Sequence, residues 1–167
     1  ICVTGAGGLI GSNIVNYLAR KGFDVVAVYK NNKPIVFLPN VNCLYGDLID
    51  CDTLLKIKST KCDVIVHCAA VVSRINDNTF SAKTNEEIDK NIIDYCKKNR
   101  CKLIFMSGTT LYKEDGEGWK SEASEVLVAS EYLNQKYRSE KLISENLKNI
   151  GLIFRVSSPY GIGQKSK

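Results

Sequence analysis

The chain has 167 residues, of which 44% are hydrophobic and 25% charged, a balance that fits one folded domain and excludes disordered, collagen-like and low-complexity chains. Its formal net charge of +5 comes from basic residues scattered along the sequence, whereas a nucleic-acid-binding surface is expected to cluster them. The longest apolar stretch, residues 64–72, is about half of what a membrane span requires. The composition therefore predicts no nucleic-acid partner and no membrane span.

The seven cysteines and the single histidine show no spacing that is typical of a metal site. None of the cysteines forms a C-x-x-C pair, and a zinc site requires a closer cluster of ligands. We therefore predict no metal, and we interpret the cysteines as free thiols of a protein in the reducing cytoplasm.

Short β-branched apolar runs alternate with longer amphipathic stretches along the chain. Continuous apolar runs are typical of strands that are buried on both faces of a parallel sheet, and the amphipathic stretches predict helices. We predict strands at residues 1–3, 25–28, 42–45, 64–66, 103–106 and 152–154, and helices at 9–21, 50–57, 84–98 and 130–146. This order indicates an α/β fold, a doubly wound parallel sheet of six or seven strands with helices on both faces.

A glycine-rich segment lies between the first predicted strand and the first predicted helix. Gly5, Gly8 and Gly11 have the spacing G-x-x-G-x-x-G, which allows a tight turn and a close approach of the backbone to a pyrophosphate. The helix that follows offers free N–H groups and the positive end of its dipole to the phosphates. We predict a dinucleotide site rather than a plain turn, formed by Gly5, Gly7, Gly8, Leu9, Ile10 and Gly11.

The spacing of these glycines resembles the extended short-chain dehydrogenase/reductase superfamily, in the branch of NAD-dependent epimerases and dehydratases that act on nucleotide sugars. Further motifs follow in family order over residues 2–163. Residues 46–48 resemble the segment whose Asp meets the adenine, residues 67–70 resemble the H-x-A-A turn beside the cofactor, and residues 155–161 resemble R-x-x-x-x-Y-G. The resemblance implies a Rossmann domain whose further cofactor-binding residues are Asp47, Leu48, Ala69, Ala70 and Asn85.

The end of the second predicted strand bears on the choice between NAD and NADP. NAD enzymes of this kind usually place an acidic residue there for the ribose hydroxyls, but the position falls near Tyr29 and is followed by Lys30. Lys30 can pair with the 2′-phosphate of NADP, which favours NADP over NAD. The alternative is that Lys30 is a solvated loop lysine.

Two tyrosine–lysine pairs lie in the predicted helix at 130–146, and the resemblance implies that one of them is catalytic. A Lys four residues after a Tyr shares its helix face, and its ammonium lowers the pKa of the Tyr that acts as acid and base. Tyr132 with Lys136 and Tyr137 with Lys141 both have this spacing, but they differ by about 140° around the helix. The family text Y-x-x-S-K-Y-x-x-E-K begins at Tyr132, with Gln135 in the usual Ser place. We therefore predict Tyr132 and Lys136 as the catalytic pair that also meets the cofactor, and Tyr137 as a core or groove-lining aromatic.

The catalytic hydroxyl is expected at the end of the fifth strand. Residues 106–112 resemble the S-S-x-x-V-Y segment of the family, but Gly108 occupies the place where the hydroxyl residue often stands. The hydroxyl then comes from Thr109 or Ser107, and we predict Thr109 ahead of Ser107. The 4,6-dehydratases normally have Asp-Glu after this hydroxyl, whereas this chain has Thr109 and Thr110, so an epimerase or a ketoreductase is implied.

The resemblance thus implies redox chemistry on a nucleotide sugar, either epimerisation or reduction of a 4-keto sugar, with NAD(P) as cofactor. The alternative is an NAD(P)-binding sensor or scaffold without catalysis, which Gly108 supports and the two Tyr–Lys pairs oppose. A homodimer through the helices predicted at 84–98 and 130–146 is also implied by resemblance.

Both ends of the sequence suggest a longer protein. The first residue is Ile1 rather than Met, and residues 161–167 are typical of a loop. We expect residues 1–167 to form the NAD(P)-binding Rossmann domain of a longer chain, without most of the substrate-binding part that the family places after its Y-G motif.

Overall fold

The computed structural model describes residues 1–32, 38–71, 78–113 and 118–161, with the backbone alone described for residues 78 and 79. Every predicted strand and helix is confirmed. The strands are β1 (Cys2–Thr4), β2 (Val25–Tyr29), β3 (Val41–Tyr45), β4 (Val64–His67), β5 (Lys102–Gly108) and β6 (Gly151–Val156). The helices are α1 (Leu9–Arg20), α2 (Cys51–Ser59), α3 (Asn78–Asn99) and α4 (Glu131–Asn146), and a 3₁₀ turn at Thr109–Leu111 follows β5. Residues 162–167 of the predicted C-terminal loop lie outside the described residues.

The start of α3 is the largest difference between the predicted and the observed elements. The helix begins at Asn78 instead of residue 84. Asn, Ser and Thr near its start are typical of loops and helix caps, but Ser81 and Ala82 are buried in the fold. Tertiary packing therefore extends this helix beyond the limit that its polar residues indicate.

The six strands form one parallel sheet in the order β3-β2-β1-β4-β5-β6. Thr4 pairs in register with Val28 of β2 and with His67 of β4, so these strands end at the same edge. The strand order reverses between β1 and β4, which is the position where open α/β sheets bind ligands. The predicted doubly wound sheet is confirmed, and it has six strands in the described residues.

Helices cover both faces of the sheet. Buried residues of α1 pack against Val3 and Ala27 on one face, whereas α2, α3 and α4 pack against Cys2 and Phe105 on the other. Successive residues of a strand point to opposite faces, so Cys2 and Val3 each contribute to a different core. None of the helices in the described residues is long and apolar enough to cross a membrane.

The first helix ends where its sequence indicates. Gly22 follows the last turn with φ of +84°, its N–H donates to the carbonyl oxygen of Ala19, and the N–H of Phe23 donates to that of Leu18. These two bonds are the pattern of a Schellman motif. The chain therefore turns sharply at Gly22 and enters β2 three residues later.

Candidate cofactor groove and catalytic helix

A groove lies above the carboxyl ends of β1 to β4, at the point where the strand order reverses. The loops that follow these four strands form its walls. Segments that are far apart in the sequence and that are predicted to bind the cofactor therefore meet at one place. The predicted residues that line the groove are Gly5, Gly7, Gly8, Lys30, Asp47, Leu48, Ala69 and Ala70.

The first glycine of the loop touches the opposite wall of the groove. Gly5 has φ of +64°, and its carbonyl oxygen accepts a hydrogen bond of 2.9 Å from the N–H of Gly8, which closes a tight turn. A Cβ atom at Gly5 would lie 2.6 Å from the backbone nitrogen of Ala69, which is closer than van der Waals contact. The loop after β1 and the loop after β4 approach each other this closely because Gly5 has no side chain.

The N-terminus of α1 opens into the same groove. The helix begins at Leu9 with Gly8 as its N-cap, and neither a side-chain cap nor an acidic residue occupies its first turn. The N–H groups of the first turn, which includes Leu9, Ile10 and Gly11, have no carbonyl partner within the helix. These donors and the positive end of the helix dipole fit a phosphate group.

Lys30 and Asp47 form an ion pair across the groove. The Nζ atom of Lys30 lies 2.5 Å from Oδ2 of Asp47, and the Lys30 side chain is 54% exposed. Burial opposes ionisation of Asp47, but hydrogen bonds from Lys30 and from the backbone N–H of Ile49 outweigh burial and lower the pKa of this carboxyl. The charge of Lys30, which is predicted to meet a 2′-phosphate, is thus already neutralised by Asp47, which is predicted to meet the adenine.

Two asparagines of the groove are absent from the predicted site. Asn31 and Asn32 follow Lys30 and line the groove, and Nδ2 of Asn32 donates to the carbonyl oxygen of Gly7 at 3.3 Å. The sequence could have indicated them, because both directly follow a predicted strand and loops at this edge of a parallel sheet meet the ligand.

Asn85 supports the groove from behind instead of lining it. The residue is buried in α3, its Oδ1 accepts from the N–H of Val71 at 2.7 Å, and its Nδ2 donates to the carbonyl oxygen of Val71 at 3.0 Å. Val71 lines the groove together with Ala69 and Ala70. Asn85 therefore fixes the backbone of the loop after β4.

The two tyrosine–lysine pairs of α4 face different surroundings. Lys136 is buried, its Nζ donates to the carbonyl oxygen of Met106 at 3.4 Å, and it lies 4.5 Å from the centre of the Phe105 ring. Lys141 is exposed and lies over the ring of Tyr137. Of these two lysines, only Lys136 therefore reaches the end of β5. This strand lies next to β4, and the loop that follows β4 lines the groove.

Tyr132 is half-buried on the same helix, one turn before Lys136. Burial and then the negative charge of Asp89 raise the pKa of Tyr132 above its usual value. The resemblance implies the opposite direction, a lowering by Lys136. The difference arises mainly because Tyr132 is partly buried, and the negative charge of Asp89 adds to this effect.

The structure separates the two candidate hydroxyls at the end of β5. Ser107 is buried, and its Oγ has no hydrogen-bond partner among the described residues. It lies on the same face of β5 as Phe105, whose ring contacts Lys136. Thr109 is half-buried and begins the 3₁₀ turn after Gly108. Ser107 is thus the buried donor on the side of the strand that α4 covers.

The arginine of the predicted R-x-x-x-x-Y-G segment holds α4 against β6. Arg155 makes two hydrogen bonds to the carboxylate of Glu140, at 3.1 and 2.6 Å, and its guanidinium lies 4.7 Å from the centre of the Tyr112 ring. Such a bidentate pair fixes geometry as well as charge. Among the described residues no cluster of His, Cys, Asp or Glu is arranged to hold a metal ion.

The parallel sheet, the glycine turn and the free helix N-terminus together define a dinucleotide-binding domain of the Rossmann class. Residues 1–167 match the NAD dependent epimerase/dehydratase family, and the chain belongs to this family. The resemblance found in the sequence motifs is therefore confirmed over the whole chain.

Relatives of the chain include several epimerases. An ADP-L-glycero-D-manno-heptose-6-epimerase of Brachyspira hyodysenteriae is 29% identical over 180 residues, covering 100% of this chain and 57% of the relative. Two UDP-glucose 4-epimerase structures have TM-scores of 0.80 and cover 92% of this chain. One, from Thermus thermophilus with NAD, is 22% identical with 53% of its own chain covered; the other, from Thermotoga maritima with UDP-glucose, is 23% identical with 54% covered. This chain thus spans about half the length of these relatives.

Proposed function

We propose that the protein is an NAD(P)-dependent nucleotide-sugar epimerase or 4-ketoreductase. The observation that supports this proposal is the placement of Lys136, buried at the end of β5, one helical turn from Tyr132 and next to the dinucleotide groove. A buried lysine one turn from a tyrosine at such a groove fits proton exchange with a sugar hydroxyl. The relatives named above act on nucleotide sugars according to their names, which supports the substrate class.

Each segment of the site has a separate task in this proposal. The loop of Gly5 to Gly8 and the first turn of α1 hold the pyrophosphate, while Asp47 and Leu48 meet the adenine. When bound, the nicotinamide supplies hydride transfer to and from a sugar carbon. Tyr132 exchanges the proton of the sugar hydroxyl, and the ammonium of Lys136 orients it. The hydroxyl that donates to the sugar oxygen comes from Ser107 or Thr109: Ser107 has no other partner among the described residues, whereas Thr109 is less buried, so we keep both as candidates.

A binding and turnover assay of the full-length protein tests this function. We expect NAD(P) to bind, and one of the ADP-, UDP-, GDP-, CDP- or dTDP-sugars to turn over. An epimerase regenerates its cofactor, whereas a ketoreductase consumes one NAD(P)H for each sugar, so cofactor absorbance separates the two reactions. Cofactor binding without turnover of any of these sugars favours the alternative, a sensor or scaffold that lacks the hydroxyl at Gly108.

We propose NADP or NAD as the cofactor, with Lys30 as the residue that decides between them. The end of β2 has no carboxylate for the ribose hydroxyls, which favours NADP. The Lys30 ammonium is paired with Asp47, which weakens its attraction for a 2′-phosphate and favours NAD. The balance between these two effects can be shifted by mutation.

Asp47→Asn is expected to raise the affinity for NADP relative to NAD by about fivefold, because a partly exposed ion pair contributes about 1 kcal/mol. Asp47 is proposed to meet the adenine of both cofactors, so the ratio of the two dissociation constants is the quantity to measure by titration calorimetry. Lys30→Met is the matched control, and we expect it to lower the affinity for NADP relative to NAD. Unchanged ratios in both variants would make Lys30 a solvated loop lysine.

We further propose that the protein works in the cytoplasm, since all seven of its cysteines are free. A homodimer through α3 and α4 is proposed on family resemblance, and neither nucleic acid nor a membrane is proposed as a partner.

A further inference from the structure

A row of buried polar side chains runs through the fold from the cofactor loops to the catalytic helix. Its members lie on β1, β4, α3 and α4, and each of them is no more than 2% exposed. We refer to them as the polar row: Thr4, His67, Asp89, Gln135 and Ser139. Polar groups that are buried this deeply strongly affect the stability and electrostatics of their surroundings, because the local dielectric constant is low.

The carboxylate of Asp89 fixes which tautomer of His67 the polar row contains. Nε2 of His67 lies 2.9 Å from Oδ1 of Asp89, and Nδ1 of His67 lies 2.6 Å from Oγ1 of Thr4. A carboxylate only accepts, so Nε2–H of His67 donates to Asp89. Oγ1 of Thr4 also accepts from the N–H of Ala69 at 3.4 Å, and with the His67 proton on Nε2, the hydroxyl of Thr4 donates to Nδ1. The row therefore begins at a loop that lines the cofactor groove.

The other oxygen of Asp89 binds the catalytic helix. Oδ2 accepts from Nε2 of Gln135 at 2.7 Å and from Oγ of Ser139 at 2.8 Å. Both donors lie on α4, on either side of Lys136 in the sequence. Burial opposes ionisation of Asp89, but the charge of Lys136 and the hydrogen bonds from His67 and Ser139 outweigh burial and lower its pKa. Asp89 is thus an anion that receives three hydrogen bonds, two of them from α4.

We propose that Asp89 is a positioning residue of the active site, whose carboxylate fixes the rotation of α4 and places a negative charge opposite Lys136 and Tyr132. The inference rests on the proposed function, because it assigns a task to Asp89 through that Tyr–Lys pair. If Asp89 only linked α3 to α4 by hydrogen bonds, it would fix the rotation of α4, but its negative charge would have no effect on Tyr132 and Lys136. The experiment therefore has to separate the effect of the Asp89 charge from the effect of its hydrogen bonds.

The titratable surroundings of the pair come from β4, α3, α4 and β6. Among the described residues, β1 contributes Thr4, and β5 contributes the ring of Phe105 and the carbonyl of Met106, which do not titrate. Glu140 of α4 is neutralised by Arg155 of β6. Within the described residues, Asp89 interacts with both members of the pair, Cys68 with Lys136, and His67 with Asp89.

Asp89→Asn removes this charge and keeps the shape of the side chain. The fold can accept the amide, because His67 can carry its proton on Nδ1, donate to Thr4, and leave Nε2 to accept from Asn. Asp94→Asn is the matched control, since Asp94 is exposed on the same helix and loses the same charge.

The ionisation of Tyr132 is followed in the full-length protein by NMR with ¹³Cζ-labelled tyrosine, and Tyr132→Phe identifies its signal. We expect the titration midpoint of Tyr132 to fall by about one pH unit in Asp89→Asn, because a nearby negative charge no longer opposes the phenolate. The limb of the kcat profile that rises with pH moves by the same amount. Asp94→Asn leaves both unchanged.

An unchanged midpoint together with a lower melting temperature would overturn the proposal and make Asp89 purely structural. Should Asp89→Asn not fold, Asp89→Ser removes the charge without a mismatched amide, and failure of both variants to fold also assigns a structural role. The NMR midpoint requires neither cofactor nor turnover. A protein without turnover would therefore contradict the proposed function, while the midpoint would still decide the electrostatic influence of Asp89.

Discussion

Tyr132→Phe is expected to lower the turnover of a nucleotide sugar by about 10²- to 10⁴-fold, the usual contribution of a positioned acid–base group. The substitution removes one hydroxyl and keeps the aromatic ring, so the packing of the half-buried side chain changes little. Lys136 remains buried at the end of β5, but no phenol remains to exchange a proton with the sugar. Steady-state kinetics of the full-length protein measure the loss, and NAD(P) affinity serves as the check on folding.

The matched control is Tyr137→Phe, which removes the same hydroxyl from the other pair. Tyr137 lies in a cleft with Glu140 and Arg155, and its partner Lys141 is exposed. We expect Tyr137→Phe to keep turnover within about twofold, since surface changes away from the site have small effects. Normal turnover in Tyr132→Phe with a loss in Tyr137→Phe would move the catalytic role to the second pair.

The choice between these pairs shows where sequence reasoning reaches its limit. Tyr132 and Tyr137 have the same spacing to a lysine, and periodicity alone does not tell which side of α4 faces the sheet. Helix rotation is set by long-range contacts, such as the bonds from Gln135 and Ser139 to Asp89. In the sequence Asp89 looks like one more charge on a polar helix, and only the fold places it in the core.

The fold itself was predictable because the strands of a parallel sheet are buried on both faces and read as continuous apolar runs. Val25–Tyr29 is entirely buried, and its limits follow from the sequence almost residue by residue. The glycine loop was predictable for a related reason, since its whole signal lies within residues 4–11. By contrast, the pairing of Lys30 with Asp47 joins the ends of two strands, and local sequence carries no sign of it.

Gly5→Ala is expected to weaken NAD(P) binding by about 10- to 100-fold. A Cβ atom at this position would lie 2.6 Å from the nitrogen and 2.7 Å from the Cα atom of Ala69, and both are backbone atoms that cannot rotate away. The loops after β1 and β4 must therefore move apart, and overpacking of this kind costs about 1–3 kcal/mol. If NAD(P) binding requires the original spacing of the loops, this cost corresponds to the 10- to 100-fold loss of affinity. Fluorescence titration with NAD(P)H measures the affinity.

The control for backbone conformation is Gly22→Ala. Gly22 has φ of +84° and Gly5 has φ of +64°, so both substitutions place a side chain in the left-handed region, which costs about 1 kcal/mol. Nothing lies within 4 Å of a Cβ at Gly22, so this variant isolates the conformational cost. Gly22→Ala should lower the melting temperature and leave NAD(P) affinity unchanged, whereas Gly5→Ala should lower both. Equal affinities in the two variants would mean that the contact between Gly5 and Ala69 has no part in forming the groove.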